Sequence, residues 1–64
     1  MKEVLFTNKV NGESKSVMLG GLGGLVFGLT KSVYETNDAI RWCNNHKKGD
    51  RFACDSYEIK IVNE

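Results

Sequence analysis

Cys43, His46 and Cys54, with Asp55 beside the second thiol, are the residues of this chain best suited to chemistry. Cys43 and His46 form a Cys-x2-His pair, which could be half of a zinc site. Structural zinc takes four ligands, commonly as two tight pairs, and the second half here holds only one thiol, Cys54. Cys43 and His46 could also meet across a helix turn, as a nucleophile and its base must. No orienting acid or oxyanion donor completes that set. Asp50, Asp55 and Glu58 stand among polar residues, without an apolar pocket to move a carboxyl pKa toward general acid-base work. The expectation is a helix-core Cys43, a helix-end His46, no catalytic residue, no metal and no cofactor, so not an enzyme.

The run LGGLGGLVFGL, from Leu19 to Leu29, holds five glycines and no charge. A phosphate loop needs G-x4-G-K-[ST], because backbone amides cradle the phosphate while the lysine neutralises it. Gly23 to Thr30 keeps the glycine spacing and the threonine, but Leu29 stands where lysine is required. The dinucleotide pattern G-x-G-x-x-G fails at Val26. Gly20, Gly24 and Gly28 fall four apart, a spacing that lets helices approach closely in lipid. Yet the uncharged run from Val17 to Leu29 is only thirteen residues, and a membrane span needs about 20. Each glycine also opposes a helix by about 1 kcal/mol relative to alanine. The expectation is therefore two strands joined through a glycine hinge, with no membrane insertion.

Composition narrows the rest. Sixty-four residues make one domain, 1–64, and a domain of this size buries only about 60% of its unfolded surface. A hydrophobic fraction of 41%, a charged fraction of 27% and the lack of proline argue for a folded chain. The net charge is only +1, whereas a nucleic-acid binder carries a basic stripe. Lys47, Lys48 and Arg51 form one short cluster, read as favourable charge at a helix C-terminus, and nucleic acid is not the expected partner. Two cysteines are few for a secreted mini-domain. The N-terminal segment is polar and of mixed charge, so a cytoplasmic location with reduced thiols is expected.

These residues must be positioned by a few short elements. KEVLFTNKV alternates as a strand, and Asn11-Gly12 signals a type I′ hairpin turn. That turn pairs Val10 with Glu13, Asn8 with Lys15, Phe6 with Val17 and Val4 with Leu19. Val4, Phe6, Val17 and Leu19 then share one face, while Leu5 opposes Met18 on the reverse. LVFGLTKSVY reads as a third strand, with Leu25, Phe27, Leu29 and Val33 on one side. A helix follows, capped by Thr36 or Asn37 and stopped after Lys47 and Lys48 at Gly49. Ala39, Trp42, Cys43 and His46 form its apolar stripe, widened by Ile40. RFACDSYEIKIV reads as strand with a change of phase, reconciled by a bulge or tight turn near Asp55 and Ser56. The fold class is α+β: a small antiparallel sheet of three to four strands, in the order β-β-(β)-α-β, with one helix packed on one face.

Such a sheet carries apolar residues on both faces, including Leu5, Met18, Leu22 and Val26, and one helix covers only one face. Its strand edges are also open. Surplus apolar surface of this kind marks a protein contact. Leu22, Leu25 and Phe27 are the foremost candidates, with Leu5 and Met18 beside them; Trp42 is either a core plug or a partner anchor. In size and architecture the plan resembles the small inhibitors that bacteriophages direct at host enzymes. That resemblance implies a non-enzymatic protein in the host cytoplasm, occluding a host protein such as a defence or transcription factor. Self-association as a homodimer is the other partner expected. Two alternatives belong to other classes: a membrane-active or double-glycine-processed bacteriocin-like peptide cut at Gly20-Gly21, and a nucleic-acid-binding module using Lys47, Lys48 and Arg51. Against the first, Thr7 and Lys15 stand where leaders of that kind carry apolar residues.

Overall fold

Two hairpins flank a pair of helices in the computed structural model, which describes residues 2–64. The elements are β1 (Glu3–Asn8), β2 (Ser14–Met18), α1 (Leu19–Thr30), α2 (Val33–Asn45), β3 (Arg51–Ala53) and β4 (Tyr57–Asn63). The strands form one antiparallel sheet in the order β2-β1-β4-β3. The α+β expectation, with a helix packed on a small antiparallel sheet, matches this architecture, although the helical layer holds two helices rather than one.

Alternation builds the sheet. Val4 and Phe6 of β1 share a face with Tyr57, Ile59 and Ile61 of β4, and all five are buried. The phase change expected near Asp55 and Ser56 is the tight turn between β3 and β4, closed where Cys54 N–H donates to the Tyr57 carbonyl at 2.9 Å. The first hairpin departs from expectation in register. Val4 pairs with Val17 and Phe6 with Lys15, so the partners slide by two residues and every side chain keeps its expected face. The loop is four residues rather than two. Asn8 Oδ1 accepts from Val10 N–H at 2.8 Å and Asn11 N–H at 3.3 Å, and Gly12 closes the loop at φ 81°. The Asn8 side chain, three residues before Asn11, thus folds the loop ahead of the Asn11-Gly12 signal.

The larger correction concerns Leu19 to Thr30. The expected hinge and third strand are a single helix, α1, which starts directly from the end of β2. Leu19, Leu22, Val26 and Leu29 step by three, four and three, so they stack along one helix face. Leu22 and Val26 are fully buried against the sheet, and Leu19, Leu25 and Leu29 pack around them. Full burial of each such side chain contributes roughly 1.5–3 kcal/mol, which offsets the glycine cost through tertiary contact. Gly23 gives α2 close access: a Cβ there would meet Ile40 Cδ1 at 3.4 Å. α1 ends at Lys31, which adopts φ 57° and donates its N–H to the Phe27 carbonyl at 2.8 Å.

α2 carries the expected apolar stripe, with Ala39 and Cys43 buried and Ile40 and Trp42 half-buried. Its ends differ from expectation. The cap is Ser32, whose Oγ accepts from Glu35 N–H at 3.2 Å, so the helix begins before Thr36 and Asn37. It closes at Asn45, and Lys47 and Lys48 lie in the following loop. The cation at its C-terminus is instead Lys2, whose ammonium donates to the Cys43 and His46 carbonyls. Trp42 stacks on His46, leans on Phe52, and through Phe52 joins the Tyr57–Phe6 stack. Burial pushes the Tyr57 hydroxyl up to about 12, helped by Cys54, Glu35 and Asp38.

Candidate protein-binding surface

The corner between α1 and α2 gathers exposed apolar side chains. Phe27 is 44% exposed, Val33 59% and Tyr34 84%. Their placement follows from the local folding rules of the corner. Phe27 projects from α1 away from the Leu22–Val26 face. Lys31 then turns the chain through its left-handed backbone, and Thr30 Oγ1 accepts from Ser32 N–H at 3.2 Å. Ser32 caps α2 from its own N-terminal side, which leaves Val33 and Tyr34 as the first residues of the helix, facing solvent.

On the β2 side of α1 lies a groove of about 740 Å³. Phe6, Leu25 and Leu29 give it apolar walls, Gly24 and Gly28 leave it wide, and Asn8, Glu13, Ser14 and Lys15 line its polar side. It opens beside the free edge of the sheet, since β2 is the terminal strand on that side.

The six side chains expected to meet a partner do not converge on one surface. Leu22 is the clear correction: it is 0% exposed, covered by the chain's own sheet because the segment carrying it is helical. Leu25 is half-buried in the groove and Phe27 stands on the corner. Leu5 and Met18 lie on the sheet face opposite the helices, and Leu5 pairs with Ser16 rather than Met18. On that face Ser16 Oγ donates to Glu3 at 2.7 Å and Thr7 is bonded to Ser14 at 3.0 Å, while Met18 stays 52% exposed. Val26, counted with the surplus, is buried. Trp42 is half-buried between His46 and Phe52. Val33 and Tyr34 on the corner, and Glu13 and Lys15 on the groove, are not among the six residues expected to meet a partner. Ser32-x-x-Glu35, a helix-start pattern, was the signal that would have placed the first two.

The groups with chemical potential are held apart. Burial pushes the Cys43 thiol up, with the Lys2 charge opposing, so its nucleophilic thiolate is disfavoured. His46 is exposed, its ring stacked on Trp42 and its Nδ1 at 2.8 Å from the Trp42 carbonyl. Both cysteines are free thiols. Among the described residues no group of three or more His, Cys, Asp or Glu side chains is placed to hold a metal ion. Around the short basic cluster, Arg51 lies 3.7 Å from Glu58, and the Lys47 and Lys48 amides donate to Asp50 and Glu64. Gly20-Gly21 lies in the first turn of α1, so a cut there would detach β1 and β2 from their own core. Among the described residues no helix is long and apolar enough to cross a membrane. Comparison with protein-family models, curated proteins and solved structures finds no match to this chain.

Proposed function

We propose that this chain is a small non-enzymatic protein-binding module that acts by covering part of a target protein. The bacteriophage inhibitors of host proteins, which it resembles in size and plan, set the expected mode: steric occlusion in the host cytoplasm. The observation that carries the reading is the α1–α2 corner, where Phe27, Val33 and Tyr34 stand exposed together in sequence. Large aromatic side chains dominate binding energy when a partner desolvates them, and solvent-facing clusters of this kind mark contact sites. The backbone that carries these side chains is hydrogen-bonded on both sides of the turn, by Lys31 N–H to the Phe27 carbonyl and by Glu35 N–H to the Ser32 cap.

The test compares the full chain with a Phe27→Asp/Tyr34→Asp variant, each immobilised and exposed to bacterial lysate. The full chain is expected to retain a stoichiometric protein partner. The variant is expected to hold that partner more than about 30-fold more weakly, the consequence of removing about 2 kcal/mol, with an unchanged circular dichroism spectrum. Absence of a stoichiometric partner, or equal retention by the variant, overturns the reading.

A further inference from the structure

The groove between α1 and β2 holds one acid and one base that the fold leaves without charged partners. Glu13 and Lys15 lie opposite Asn8 and Phe6, so both turn toward the helical layer, and both line the groove. Neither has an ion-pair partner among the described residues. Glu13 Oε1 accepts from Asn11 Nδ2 at 3.4 Å, a long bond. Two residues along a strand set the two side chains about 7 Å apart. Between them Ser14 offers backbone rather than side chain, because its Oγ is bonded to Thr7 on the opposite face at 3.0 Å. Asn8 N–H donates to the Glu13 carbonyl at 2.7 Å, and hydrogen-bonded pairs alternate along an antiparallel ladder. The Ser14 N–H and carbonyl therefore point away from β1, and β2 is the terminal strand on that side.

The chemistry that complements these groups is narrow. It is an ammonium for Glu13, a carboxylate for Lys15 and a span of about 7 Å between them. A single amino acid carries both charges but spans only about half of that. An extended dipeptide with free ends spans about 7 Å, and its one amide then lies level with the Ser14 backbone. The end of a longer protein chain offers one of the two charges and not the other. Phe6, Leu25 and Leu29 wall the groove, so the side chains it takes are apolar. Its volume of about 740 Å³ is that of a small-molecule site. Gly24 and Gly28 keep the α1 side open, since a Cβ at either meets nothing within 4 Å.

We infer that the α1–β2 groove binds a free dipeptide with apolar side chains, its ammonium held by Glu13 and its carboxylate by Lys15. This site is separate from the α1–α2 corner, so either reading can fail without the other. The test is an NMR titration of the isotope-labelled full chain with leucyl-leucine. Saturable shifts are expected at the Ser14, Lys15, Gly24 and Gly28 amides, with those of Val33 and Tyr34 unmoved. N-acetylation or C-terminal amidation of the dipeptide each weakens binding about fivefold, by removing one exposed charge contact. Free leucine, which keeps both charges but not the span, and glycylglycine, which keeps both charges but no apolar side chain, each bind more weakly still. Glu13→Gln no longer distinguishes leucyl-leucine from its N-acetyl form, and Lys15→Gln no longer distinguishes it from its amide. Both substitutions alter exposed side chains, and unchanged amide shifts in β4 and α2 show that each variant is folded. Absence of shifts up to about 10 mM leucyl-leucine overturns the inference. So do shifts centred on the corner, equal binding of the capped forms, of leucine or of glycylglycine, and folded variants that keep the full discrimination.

Discussion

The two helices pack side by side yet are made in opposite ways. α2 is written locally, by a Ser32 cap, Glu35 in the first turn and an Asp38–Arg41 pair at 3.1 Å, and the fold adds the Lys2 cation at its C-terminus. α1 has none of these. No side chain caps its start, no acidic residue stands in its first turn and no basic one in its last, and it closes on Lys31 in the left-handed region. It exists because Leu22 and Val26 find the sheet. A helix can therefore be fixed by neighbours alone, even where its own residues argue against it.

The largest effect expected is at Leu22. Leu22→Ala removes a fully buried side chain from α1 and should cost about 3 kcal/mol, enough to unfold much of a domain this small; urea denaturation followed by circular dichroism measures it. Ser32→Ala should cost about 1 kcal/mol by removing the α2 cap, and the same experiment reads it. A similar effect of opposite sign is expected from Gly24→Ala, which meets no atom within 4 Å and should add up to about 1 kcal/mol. Gly23→Ala should gain less, because its Cβ presses on Ile40 Cδ1. Lys31→Gly relieves the left-handed backbone and should raise the denaturation midpoint by an amount worth about 0.5–1 kcal/mol. A loss from Lys31→Gly or Gly24→Ala would break the contrast between the helices.

The same contrast explains what could be read beforehand. Alternation at Val4 and Phe6, the phase change at Asp55 and Ser56, and the Ala39–Cys43 stripe placed most of the sheet and α2, because those signals act locally. The apolar run after Leu19 fits alternation at Leu25, Phe27 and Leu29 as well as it fits helical spacing at Leu19, Leu22, Val26 and Leu29. Glycine propensity favoured the wrong alternative, and a surface it cannot sense decided the outcome. The site inherited that error. Leu22 went from exposed contact to core, while Val33 and Tyr34 were hidden in an imagined strand. Edge and groove were legible only in part: the open edge was expected and the register slide leaves each β2 side chain on its expected face, but the groove exists only because α1 is a helix.

Amide hydrogen exchange across Leu19–Thr30 tests most directly whether α1 is a helix held by the sheet. The account predicts that the Val26 and Leu29 amides exchange as slowly as those of Phe6 and Ile59, through global unfolding alone. Exchange through this segment at rates near those of an unstructured chain, with the sheet still protected, would contradict it and restore the glycine hinge.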